Sequence, residues 1–137
     1  MSDRELVERL RRVPLFGELD DEALARVADV GTAFEVPEGR VLVERGQPGS
    51  GMFVITDGTV SVELPAGTVQ VGAGEFVGEL ALLAEGVTHI ARVRAATRVR
   101  GLAFGRAAFS DLLDREPKVA VAMLPVLARR LAEAESA

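Results

Sequence analysis

The sequence predicts an α+β fold: an antiparallel β-roll, a jelly-roll-like double sheet, flanked by N-terminal and C-terminal helices. Three observations carry that expectation. Apolar residues recur at helical spacing near both ends of the 137-residue chain. Between Gly31 and Phe104, short runs rich in Val, Ile, Phe and Thr alternate with glycine turns at intervals of about 8 to 12 residues, the texture of an antiparallel sandwich or barrel. Helical and extended segments are segregated rather than alternating, as an α+β chain requires.

The helical lead-in spans residues 1–30. Ser2 followed by Glu5 forms a capping-box pattern, and Leu6, Val7 and Leu10 make one apolar stripe, so a short amphipathic helix is expected over Ser2 to Arg12. A second helix begins at "LDDEALARVADV", where Asp20 can cap the free N–H groups and Leu19 and Leu24 are spaced as a hydrophobic staple. The β-roll spans residues 31–104. Its "VSVEL" alternates apolar and polar residues, as a half-buried strand should. "TDGTV" sets Asp57-Gly58 between two strand-like runs, which predicts a hairpin. C-terminal helices occupy residues 106–135. Phe109, Leu112 and Leu113 mark a short one, and Val119, Met123, Val126, Leu127 and Leu131 a longer one. Pro125 falls inside that second pattern, so a kink or break is expected there.

The length fits a single domain over residues 1–137 with a core of its own. No apolar run approaches the roughly 20 residues that span a bilayer, and the charged N-terminus has no signal-peptide stretch. Without cysteine there is no disulfide, thiol nucleophile or Cys-based metal site, and a cytoplasmic location is expected. A net charge of −5 argues against nucleic-acid binding by this chain alone. Five arginines (Arg92, Arg94, Arg98, Arg100 and Arg106) crowd one stretch, either as the solvated face of alternating strands or as a local anion site.

One segment of the β region does not read as strand. "GEFVGELALLAEG" places Leu80, Leu82 and Leu83 among helix formers with Gly86 as a stop, predicting a helix over residues 79–84 inserted between strands. Gly78 precedes it, where the backbone must turn sharply or approach something closely. The first N–H groups of a helix lack internal partners and carry partial positive charge, which suits a phosphate.

"FVGELALL", with its glycine-rich frame, resembles the phosphate-binding cassette of the cyclic nucleotide-binding domain family. "PEGRVLVERGQPGSGMFVITDGTVSVEL" resembles that family's roll, with Gly39, Gly46, Gly49 and Gly58 on its turns, and "VPLFGELDDEALARVA" resembles its helical lead-in. The likeness covers roughly residues 12–132. It implies a ligand-binding set of Val77, Gly78, Glu79, Leu80 and Ala81, then Thr88, His89, Ile90 and Ala91. Backbone N–H groups near Leu80 and Ala81 would meet the cyclic phosphate, and Glu79 would accept from the ribose 2′-hydroxyl; otherwise Glu79 is simply a helix N-terminal acid favoured by the dipole.

Family members that bind cyclic nucleotides usually continue with Arg, then Ser, Thr or Ala, then Ala. Here that triplet is His89-Ile90-Ala91. Arginine is always charged and bonds bidentately, whereas histidine, with an ordinary pKa near 6.5, is mostly neutral at pH 7 and offers one donor. A charge-assisted hydrogen bond contributes roughly 1.5 to 3 kcal/mol, so the exchange weakens phosphate binding by on the order of 10- to 100-fold. Three readings of His89 stand: a weak, pH-dependent phosphate contact, a polar residue in a pocket that no longer binds a nucleotide, or a contact to a different ligand. Strand alternation points Arg92 and Arg94 away from its face, while Thr88 is a candidate hydroxyl donor. Ile90 supplies no hydroxyl for guanine, which favours cAMP over cGMP; no cofactor is required. Arg130 is a candidate base contact, against the alternative of a solvated helix surface.

Other functions fit less well. Cupin-type metal enzymes need several converging His and carboxylate ligands, and this chain has one histidine, so no catalysis is expected. About 33 residues follow the last strand, too few for a DNA-reading module beside the packing helices. The expected function is a regulatory domain that binds a cyclic nucleotide or related small phosphate ligand, weakly or with altered preference. The alternative is a non-binding interaction module that keeps only the fold. Val126, Leu127 and Leu131 on the final helix would then join a homodimer or effector protein, would otherwise serve as a lid over the pocket, or would simply pack on the roll.

Overall fold

The computed structural model describes residues 3–48 and 51–136. Its first helix, α1 (Asp3–Arg11), buries Leu10 and half-buries Leu6 and Val7 against the core. The Ser2 end of the expected capping box lies outside the described residues. A 3-10 turn at Pro14–Phe16 inserts Leu15 and Phe16, and α2 (Asp21–Val30) follows. The Asp20 carboxylate accepts a hydrogen bond from the Ala23 N–H at 2.8 Å, the expected cap, and Leu19 and Leu24 are both buried on either side of it.

Among the described residues eight strands follow: β1 (Thr32–Val36), β2 (Val41–Val43), β3 (Gly51–Asp57), β4 (Thr59–Leu64), β5 (Gly67–Gly72), β6 (Phe76–Val77), β7 (Arg92–Ala95) and β8 (Val99–Gly105). They form two antiparallel four-stranded sheets, ordered β1-β8-β3-β6 and β2-β7-β4-β5. A short helix, α3 (Glu79–Leu83), interrupts the roll after β6. The chain ends in α4 (Arg106–Arg115) and α5 (Pro117–Ser136).

Side-chain alternation makes the first sheet a middle layer. On one face Met52, Val54, Phe76, Leu102 and Phe104 pack with Leu10, Phe16, Leu24, Phe109, Leu112, Val119 and Met123 of the helical segments. On the other, Ile55, Val77 and Val99 meet Val43, Val60, Val71, Val93 and Ala95 of the second sheet. The outer face of that second sheet carries Arg92 and Arg94, whereas Arg98 and Arg100 lie before and on β8 of the first sheet. Arg92 bonds Glu44 at 2.8 Å and Arg94 bonds Glu63 at 3.3 Å, while Arg98 and Arg100 share Glu35. These are solvent-exposed pairs of small individual worth, so four of the five clustered arginines are solvated, two beside each sheet. Arg106 behaves differently and enters the site below.

One expectation fails here and a second fails in part. Asp57-Gly58 does not close a hairpin, because β3 and β4 lie in different sheets. Both edges of β3 are taken by β8 and β6, and both edges of β4 by β7 and β5, so the turn hands the chain from one sheet to the other. Gly58 adopts φ +94°, and a Cβ there would lie 2.2 Å from the Arg98 carbonyl oxygen. Nor does Pro125 break the last helix, since α5 runs through it from Pro117 to Ser136. A proline forfeits one donor and crowds the preceding turn. Val119 and Met123 before it, with Val126 and Leu127 after it, hold the helix against the core on both sides.

The crossing at Gly58 is therefore sterically committed. Gly58→Ala must adopt a left-handed backbone and displace the Arg98 carbonyl, and we expect urea denaturation to show a loss of about 2 to 4 kcal/mol. An unchanged midpoint would contradict this reading of the turn.

Candidate functional site

The site is built where β6 gives way to α3. β6 is pinned on β3 in the register Phe53↔Val77 and Val54↔Phe76, and at Gly78 the chain turns with φ +85° and ψ 7°. A Cβ at this position would stand 3.0 Å from the Gly51 carbonyl oxygen and 3.6 Å from His89 Cε1. Glycine is thus required twice, for the left-handed backbone and for the close approach. The turn starts α3 at Glu79, with Ala81 and Leu82 buried beneath it and Leu80 and Leu83 exposed. The observed helix ends at Leu83, with Ala84 as its C-cap.

The residues expected to act together fall into two groups. Val77 contributes no exposed side chain, because it sits in the core between the sheets. Gly78, Glu79 and the first turn of α3 lie beside His89, whose imidazole is half-buried. The backbone of His89 is fixed: its N–H donates to the Gln47 carbonyl at 2.9 Å, and its carbonyl accepts from the Gly46 N–H at 2.8 Å. Thr88 bridges to Pro48 and is exposed, as is Ile90, whereas Ala91 is buried. Ala91, Val93 and Ala95 point inward while Arg92 and Arg94 point out to Glu44 and Glu63, so neither arginine replaces the one His89 lacks.

Among the described residues Glu79 is the buried charged one, its side chain 7% exposed. A carboxylate taken out of water needs a partner, and it has one. Arg130 of α5 donates from Nη1 to Glu79 Oε1 at 2.6 Å and from Nη2 to the Phe76 carbonyl at 2.7 Å. Its guanidinium also lies over the Phe76 ring, 4.6 Å from the centroid. The expectation of a solvated helix surface at Arg130 is thereby corrected. The sequence held a signal for this: Val119, Met123 and Val126 step along the inward face of α5, and Arg130 is the next position at that spacing. Leu131, assigned to the stripe from its hydrophobicity, is instead 60% exposed.

Arg106 was legible only as one of a cluster. Its Nη2 donates to the Ala81 carbonyl at 2.6 Å, so α4 grips the last turn of α3 while α5 grips its first. Arg106 is remote in sequence from Ala81, and only the packing of α4 beside the cassette reveals the pairing. Among the described residues no cluster of His, Cys, Asp or Glu could hold a metal ion.

Backbone N–H groups, one carboxylate and one imidazole around a glycine turn are the equipment of a ligand-binding domain. The kind of ligand-binding domain follows from known proteins. The sequence profile described as "Cyclic nucleotide-binding domain" matches residues 33–116, and the chain belongs to that family. It is 39% identical over 108 residues to a cyclic nucleotide-gated potassium channel of Mesorhizobium japonicum, a match covering 79% of this chain and 30% of the channel. The crystal structure of the N-terminal domain of a transcriptional regulator from Streptomyces coelicolor A3(2) is 35% identical, with a TM-score of 0.68 over 94% of this chain and 96% of that one. Thermus thermophilus catabolite activator protein is 30% identical, with a TM-score of 0.79 over 89% of this chain and 60% of that one. The chain spans less than a third of the length of the first curated relatives it matches.

His89 supplies a prediction that needs no ligand. Burial pushes its imidazole below the ordinary value near 6.5, and the nearby Glu79 only partly opposes this. The unfolded chain therefore takes up the proton first. Stability from this site is complete above about pH 6.5 and falls as pH drops below it. Because the chain has one histidine, urea midpoints between about pH 7 and 5.5 should decline in the wild type and decline less in His89→Gln. Parallel curves would show that His89 is not held neutral by the fold.

Proposed function

We infer that this chain is a regulatory domain whose Gly78–Ala81 cassette takes a cyclic nucleotide, cAMP in preference to cGMP, with affinity lowered by histidine at position 89. The observation that carries the reading is the left-handed turn at Gly78. It brings the first N–H groups of α3, the Glu79 carboxylate and the His89 ring to one place within the family's matched segment. In this reading the Leu80 and Ala81 N–H groups meet the phosphate, Glu79 accepts from the ribose hydroxyl, and His89 offers a single donor. The phosphate contact has no bidentate arginine, and no cofactor enters. Ile90, 57% exposed, brings no hydroxyl to a guanine.

The output runs through the helices. Arg106 ties α3 to α4 and Arg130 ties it to α5, so any shift of the cassette on binding is felt at both. Such a switch needs a ligand that prefers one helix position over the other. Named relatives include a gated potassium channel and a transcriptional regulator, so the effector is a larger protein or a neighbouring domain. Among the described residues no helix is long and apolar enough to cross a membrane. One observation favours a second reading, a docking module for a homodimer or an effector: Val121, Leu124 and Leu131 of α5 are all exposed.

Titration calorimetry with cAMP and cGMP decides between them. Binding of cAMP at sub-millimolar concentration supports the sensor, and no heat at millimolar ligand removes it. His89→Arg restores a charged, two-pronged donor and should tighten cAMP binding by on the order of 10- to 100-fold. An unaltered titration would mean that the phosphate does not lie beside position 89.

A further inference from the structure

The two sheets end in four edge strands, β1 and β6 on the first and β2 and β5 on the second. An edge offers unpaired N–H and C=O groups to any other strand, and proteins blunt it with charge, bulges or shortness. Three of these edges are blunted. β6 is two residues long. β2 shifts register against β7 between Val41 and Val43 and is flanked by Arg40 and Arg45. β1 carries Glu35, held by Arg98 and Arg100. β5 has none of these devices: its "GTVQVG" is uncharged, lacks proline, pairs with β4 without a bulge and is exposed from Gly67 to Gln70. Among the described residues no strand lies on its outer side.

The backbone groups that face this edge follow from the ladder. The Thr59 N–H donates to Thr97 Oγ1 at 3.0 Å and the Thr59 carbonyl accepts from the Ala96 N–H at 2.9 Å, so both turn away from β5. Thr59↔Gly72 is therefore a non-hydrogen-bonded pair, and alternation directs Val69 and Val71 to β4 but Thr68, Gln70 and Gly72 to the open edge. The Gly72 N–H is taken by the Glu75 carboxylate at 2.9 Å. Thr68 and Gln70 are left to present one N–H and one C=O each.

We propose that β5 pairs antiparallel with β5 of a second copy of this chain about a two-fold axis, joining the two outer sheets into one of eight strands. The register is dictated by the groups available. Thr68 faces Gln70 of the second copy, and Gln70 faces its Thr68, so each pair exchanges two backbone hydrogen bonds. Val69 then meets its own counterpart at the axis, in the non-hydrogen-bonded position where Cα atoms approach to about 4.5 Å. Val69 is 51% exposed and shares the inward face with buried Val71, so the pairing covers apolar surface that the single chain leaves in water. On the outer face the Thr68 hydroxyl lies beside the Gln70 amide of the second copy, a favourable cross-strand neighbour. A two-fold contact requires a segment complementary to itself, and this one is. Chains of net charge −5 also bring no like charges together along an uncharged edge, whereas a charged peptide would find no counter-charge there. The contact is short and buries less than the roughly 1,200 Å² of a stable interface, so the dimer is weak and concentration-dependent. It involves neither the cassette nor α5.

Sedimentation velocity from about 20 µM to about 1 mM should show the mass rising toward that of a dimer. Gln70→Pro removes an N–H that points to solvent rather than to β4, a position where an edge strand tolerates proline, and should keep the chain monomeric throughout. Val69→Lys sets two cations together at the axis and serves where the proline variant folds poorly. In the wild type, the Thr68 and Gln70 amides should exchange several-fold more slowly at the highest concentration, with Val69 and Val71 unchanged. A wild type that stays monomeric to about 1 mM overturns the proposal. So does a dimer that survives in both folded variants, or one that leaves Thr68 and Gln70 unprotected; either places the interface elsewhere, such as the exposed face of α5.

Discussion

At Gly78 the backbone enters the left-handed region with the Gly51 carbonyl where a side chain would be, and the arrangement of the site depends on that single turn. β6 is only two residues long, and its pairing with β3 fixes where the turn occurs. The same ladder continues into the loop before it, where the Ile55 N–H donates to the Glu75 carbonyl and the Gly74 N–H to the Ile55 carbonyl. Had the chain continued as a strand, Glu79 would point along a sheet face and no helix N-terminus would meet His89. The turn converts a sheet edge into a short helix resting on Ala81 and Leu82 and leaves its first N–H groups without helical acceptors.

Burying Glu79 beside that turn creates a second constraint, because a desolvated carboxylate is tolerable only with a partner. The partner comes from the far end of the chain, and its guanidinium links the roll to α5 through two charge-assisted hydrogen bonds, to Glu79 and to the Phe76 carbonyl. α4 is linked to the same short helix through Arg106, and to α2 through Arg26 and Glu116, which meet at 2.6 Å. The helices that flank the roll are thus attached to the cassette and to one another. That connectivity is what a regulatory domain needs if events at a small site are to be felt by a larger protein.

Much of the fold could be read from the sequence because local chemistry decided it. Asp20 capped α2 as its side chain allows, the β-rich texture between Gly31 and Phe104 became two antiparallel sheets, and "GELALL" became a helix where the glycine and its leucines indicated. What could not be read depended on partners distant in sequence. Asp57-Gly58 has the composition of a hairpin turn, but the strands on either side find other neighbours. Pro125 opposes a helix locally and is overridden by apolar contacts before and after it. At the site, the turn and its carboxylate were legible, and the outward direction of Arg92 and Arg94 followed from strand alternation. The engagement of Glu79 by Arg130 was not: the arginine sits on the buried stripe of α5, but its charge suggested a solvated position.

The central claim is that the turn at Gly78 presents backbone N–H groups to a cyclic phosphate. Amide chemical shifts followed by nitrogen-15 correlation spectroscopy during a cAMP titration test it residue by residue. The largest changes should fall on Gly78, Glu79, Leu80 and Ala81, with smaller ones along α5. Shifts confined to the outer sheet or to α1, or none at saturating ligand, would contradict it.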